Sequence, residues 1–199
     1  MQRKKRALRR VLLLMAVLLI LVQSQAYSLT AGQAADKYID WYAAEGTELI
    51  METDESYVTK YHLCANGEEL LLLRSDFRLL RGWNSTKLYS IEGSGAATLT
   101  IYYESGADIT LSFGRVNTPG AQRLLLQKTD DTGEFTYALI PEELVETDSG
   151  IHFLKIAGRS DMTHWFQFEK YQLLRIFAED GSLLKELPME YASMNYDNR

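Results

Sequence analysis

Two hydrophobic periods divide the chain. Thr30-Ala-Gly-Gln33 is a Thr-x-x-Gln capping box, and behind it Ala35, Tyr38, Ile39 and Tyr42 recur at i, i+3, i+4 and i+7 before Gly46. That spacing predicts a short amphipathic helix over 31–44. The group Tyr38, Trp41 and Tyr42 is expected to pack it onto the body of the domain, with a ligand platform as the alternative reading. From Thr47 onward the period is two. Ala97, Leu99, Ile101 and Tyr103 alternate with Thr98, Thr100, Tyr102 and Glu104, and Ile109, Leu111 and Phe113 repeat the pattern after a turn at Ser105-Gly106. Glu134–Ile140 alternates again. Such runs predict antiparallel strands with one dry face and one wet face.

Further strands are expected at 47–53, 57–64, 69–74, 77–81, 87–91, 122–128, 151–156, 165–169 and 172–178. Asn66-Gly67, Asp131-Thr-Gly133 and Asp180-Gly181 supply turn chemistry between them. Many short strands without helical crossovers predict an all-β fold. The expected form is a jelly-roll-like antiparallel β-sandwich with a short N-terminal amphipathic helix; a closed barrel with the aromatics inside is the alternative. The expected division is an export segment over 1–26, the helical segment over 27–46, the sandwich over 47–182 and a polar C-terminal tail over 183–199.

The start of the chain has its own pattern. Six basic residues within Met1–Arg10 precede twelve uninterrupted apolar residues, Val11–Val22, and Ser24 and Ala26 fit a signal-peptidase site. This predicts a secretory signal of bacterial type cleaved before Tyr27, or an uncleaved signal anchor touching the membrane through residues 11–22. The remainder is then exported, to the cell surface or beyond. Beyond residue 26 the chain carries 15 basic against 27 acidic side chains, a net −12. That composition argues against nucleic acid as a partner. With 46% hydrophobic residues it also argues against disorder. The single Cys64 forms no internal disulfide and is expected as a small buried hydrophobe on a strand.

The second half resembles the galactose-binding-like jelly-roll domains, which include many carbohydrate-binding modules. The resemblance covers about residues 95–178. It is carried by Leu99-Thr-Ile-Tyr-Tyr, Ile109-Thr-Leu-Ser-Phe, Phe135-Thr-Tyr-Ala-Leu-Ile-Pro141, then Gly150, His152 and Leu154, and finally Gln172-Leu-Leu-Arg-Ile-Phe177. It implies a sandwich that binds glycans, in some members with a structural calcium ion.

Catalytic patterns are thin. Ser160, Asp161 and His164 are sequence neighbours, which rarely converge as a triad. Paired carboxylates such as Glu142/Glu143 read as solvated loops, which leaves a glycoside-acting enzyme as the weakest reading. No metal-ligand spacing occurs, although Asp130 and Asp131, in a Gly-containing loop, could contribute to a structural calcium site. Otherwise no cofactor is expected. Aromatics are the stronger signal. Arg81, Trp83 and Asn84, with Trp165 from a second loop, form one stacking and hydrogen-bonding set suited to a sugar ring. Both Trp residues as core anchors is the competing reading. The expectation is an exported, non-catalytic binding domain for carbohydrate or another cell-envelope component. The alternative is a surface-held structural subunit that binds another surface protein.

Overall fold

The computed structural model describes residues 2–23, 28–79, 81–92, 97–104, 109–130, 133–139, 144–158 and 172–189. Helix α1 (Gln2–Gln23) exposes its leucines, among them Leu13, Leu14 and Leu19. No helix among the described residues is long and apolar enough to cross a membrane. Helix α2 (Ala31–Tyr42) starts at Thr30, whose Oγ1 accepts from the Gln33 N–H at 3.1 Å. The Gln33 side-chain oxygen accepts in return from the Leu29 N–H at 3.0 Å. One orphan N–H of the helix, that of Gln33, is thus satisfied, along with the N–H of Leu29 just ahead of the cap. Thr30→Ala is expected to destabilise the protein by about 1 kcal/mol in chemical denaturation; an unchanged midpoint would remove the cap from the account.

Among the described residues, twelve strands follow in three antiparallel sheets. The first is a simple meander of β1 (Glu48–Ser56), β2 (Thr59–Ala65), β3 (Glu69–Arg78) and β4 (Gly82–Glu92). The second has the order β5-β6-β10-β9, from β5 (Ala97–Glu104), β6 (Ile109–Val116), β9 (Leu144–Thr147) and β10 (Gly150–Gly158). The third has the order β12-β11-β7-β8, from β7 (Arg123–Asp130), β8 (Gly133–Leu139), β11 (Gln172–Phe177) and β12 (Leu183–Met189).

The first two sheets pack face to face. Tyr61, Leu63, Leu70 and Leu72 of the first meet Tyr102, Leu111, Phe113 and Leu154 of the second in one core. The opposite face of the first sheet offers Cys64, Leu71 and Leu73 to Ala35 of α2, with Tyr38, Ile39 and Leu49 around them. Alanines at 31, 34 and 35, all buried, let the helix approach closely. Cys64 is fully buried and desolvation pushes its thiol up to about 12, so it packs as a hydrophobe and is not reactive.

Two expectations need correction. First, the strands are not uniformly dry on one face and wet on the other. The Thr98/Thr100/Tyr102 face of β5, expected to be wet, turns Thr100 and Tyr102 into the core, with Tyr102 beside Tyr89. β6 is buried from Ile109 to Val116 at every described side chain, on both faces of the sheet. The pairs β5-β6, β7-β8, β9-β10 and β11-β12 are each a hairpin within one sheet, and the chain passes between the second and third sheets from one hairpin to the next. Second, the strand β12 occupies residues 183–189 of the expected polar tail. It pairs with β11, and Arg175 Nε reaches Glu186 Oε2 at 2.7 Å across the register pair. Pro188 is tolerated because β12 is an edge strand.

Candidate functional site

The β3–β4 hairpin and α2 enclose a groove of about 400 Å³, a volume suited to a small ligand or a chain end. The hairpin is closed by the Arg81 N–H donating to the Arg78 carbonyl at 2.9 Å. Gly82 follows with φ +68°, the left-handed region that only glycine adopts freely. That kink brings the chain back into β4 with Trp83 facing the groove. The Trp83 N–H donates to the Ser28 carbonyl at 3.0 Å, which ties the segment leading into α2 to the start of β4.

Arg81, Trp83 and Asn84 therefore line one cavity. Trp83 is half-buried and its ring lies 5.7 Å from that of Phe77. One side anchors it, and the other borders the groove. Trp165, the fourth member of the expected set, lies outside the described residues, as do Ser160, Asp161 and His164. Asp130 ends β7 opposite Gly133, and Asp131 lies outside the described residues, so the expected calcium loop falls there as well. Among the described residues no group of three or more His, Cys, Asp or Glu side chains could hold a metal ion.

The opposite wall comes from α2, whose aromatic group is expected to pack, with a ligand platform as the alternative. Tyr38 does pack against the sheet. Trp41 and Tyr42, however, are 59% and 70% exposed. Both line the groove together with Lys37, whose Nζ lies 5.3 Å from the centre of the Trp41 ring. The available signal was the Lys37–Trp41 spacing of one helical turn, which places a cation over an aromatic face.

A buried polar line ends at the groove wall. Ser85, which lines the cavity, has its Oγ 2.6 Å from Ser75 Oγ, and Ser75 Oγ is 2.8 Å from His62 Nε2. His62 Nδ1 faces Glu52 Oε2 at 3.5 Å, and Glu52 is also paired with Lys60. Burial lowers the His62 pKa, so the imidazole is neutral. Nδ1 has no hydrogen-bond partner among the described residues. Nε2 shares a hydrogen bond with the Ser75 hydroxyl, and Ser75 shares one with the Ser85 hydroxyl in which either oxygen can donate. The order serine–histidine–carboxylate is that of a hydrolase triad, but Ser75 and His62 have no solvent exposure. A substrate cannot reach Ser75 Oγ, and the line ties β2, β3 and β4 together beside the groove.

Compared with known protein families, characterised proteins and solved structures, the chain matches none.

Proposed function

We propose that this protein is an exported, non-catalytic binding domain whose groove between α2 and the β3–β4 hairpin recognises carbohydrate, in the setting of the cell envelope. One observation carries the reading: Trp83 from β4 and Trp41 and Tyr42 from α2 line the same cavity as Arg81, Asn84 and Ser85. Sugars combine C–H-rich ring faces with hydroxyl edges. Aromatic planes suit the first, and side-chain donors and acceptors suit the second. The resemblance of residues 95–178 to carbohydrate-binding modules points the same way. Export is read from the basic start of the chain and the apolar run of residues 11–22.

Screening the full chain on a glycan array tests this reading. Saturable binding to a defined saccharide class is expected, and Trp83→Ala is expected to weaken it at least about tenfold. Far-ultraviolet circular dichroism of the variant should remain that of the parent. An array without binding, while an extract of surface proteins yields a defined stoichiometric partner, would replace the carbohydrate reading with protein interaction.

A further inference from the structure

We propose that the groove takes an acidic saccharide, a sugar carrying a carboxylate or phosphate. This inference rests on the carbohydrate reading above and narrows it. Lys37, Arg78 and Arg81 all line the groove, and among the described residues neither Asp nor Glu does. Beyond residue 26 the chain is strongly acidic, so three cations on one cavity run against its composition. Two other cavities follow the composition instead: one is lined by Glu68, Glu69 and Glu92, the other by Glu146 and Asp148.

Among the described residues these cations have no acidic partner. The described ion pairs use Lys60, His62, Arg74 and Arg175. Asp76, the acid on the neighbouring stretch of β3, is held by Arg74 through bonds of 3.0 Å from Nε and Nη2. Arg78 and Arg81 are exposed, and Lys37 is bound to nothing described beyond its stacking on Trp41. Guanidinium groups present paired donors that match a carboxylate or phosphate in geometry. Asn84 and Ser85 supply the complementary feature, an amide and a hydroxyl on the groove wall that can hydrogen-bond a ligand hydroxyl. An anionic group, a hydroxyl donor and a stackable ring face together describe an acidic sugar. A plain anion lacks the last two, and a neutral sugar lacks the first.

The test uses the full chain and matched pairs: oligogalacturonate against its methyl ester, and glucose 6-phosphate and glucuronate against glucose. Binding is read by calorimetry at low and high salt. The expected result is binding of the acid forms only, weakened by salt. The carboxylate and phosphate arms identify which anion is preferred. Arg81→Gln and Lys37→Gln should each cost about tenfold in affinity. Arg81→Lys should recover part of the loss, and the melting temperature should stay unchanged at exposed Arg81 and close to the parent's at half-buried Lys37. If the neutral partners bind as tightly, and Trp83→Ala abolishes both, the carbohydrate reading stands and the acidic-ligand inference is overturned. If no member of any pair and no array saccharide binds, both fail together.

Discussion

Gly114→Ala is expected to destabilise the protein by about 3 kcal/mol, lowering its melting temperature by roughly 6–12 °C, or to prevent folding altogether. Gly114 lies on the central strand β6, paired with Leu99 of β5 and Phe153 of β10. A Cβ placed there would sit 2.1 Å from the Thr98 carbonyl oxygen and 2.7 Å from Phe153 Cζ. The first clash is with backbone held in the ladder. The second is with a ring that has no solvent exposure and no empty space to enter. Gly32 is the control. It lies within α2, and a Cβ there meets nothing within 4 Å. Gly32→Ala should stabilise the helix by about 0.5–1 kcal/mol through propensity alone. Thermal melts of the two variants check the pair. Equal, small shifts would mean that β5, β6 and β10 are not packed as described.

Acidification is the second large effect. His152 is fully buried on β10, directly opposite buried Arg115 on β6. Desolvation first, and the Arg115 charge second, lower its pKa to about 4. Arg115 is not free to move away: its Nη1 donates to the carbonyls of Asn66 at 2.9 Å and Gly67 at 3.2 Å in the β2–β3 turn. The folded state therefore holds His152 neutral, while the unfolded chain protonates it near 6.5. Between those values the unfolded state binds more protons, so stability rises with pH. The contribution is complete above about pH 6.5 and is lost as pH falls to about 4, amounting to roughly 3 kcal/mol. His62 acts in the same direction, since burial lowers its pKa too. Denaturation midpoints measured across pH 4–7 should show this slope, and His152→Asn should flatten it. A slope that persists unchanged in the variant would assign the acid sensitivity to other groups.

Local chemistry made much of the fold legible in the sequence. Thr30 and Gln33 mark the start of α2 because a capping box is read from two residues. Asn66 marks the β2–β3 turn because its side chain accepts from the N–H groups of Glu68 and Glu69, at 2.8 and 2.7 Å. What stayed hidden depends on what lies above each strand. Thr98, Thr100 and Tyr102 look like a solvent face, and only the packing of the first sheet on the second makes that face part of the core. Leu183–Met189 carries four charged or exposed apolar positions beside a turn, and reads as tail until β11 pairs with it. The site divides in the same manner. Arg81, Trp83 and Asn84 were visible as an aromatic flanked by polar groups in one turn. Trp41 and Tyr42 read first as packing and only second as a ligand platform, and Lys37 did not stand out, because an amphipathic pattern assigns a helix one buried face and says nothing of what its flank adjoins. The polar line from Glu52 to Ser85 crosses four strands, and no sequence spacing reports it.

The central claim is that the groove between α2 and the β3–β4 hairpin is the ligand site. The most direct measurement is a calorimetric titration of the strongest array saccharide into three proteins: the parent, the Trp41→Ala/Trp83→Ala double variant, and Tyr57→Ala. Tyr57 is 100% exposed and is not among the groove residues. Binding lost in the double variant and unchanged in Tyr57→Ala is the predicted result. Parent-like affinity in a folded double variant would contradict the account and place the ligand elsewhere on the molecule.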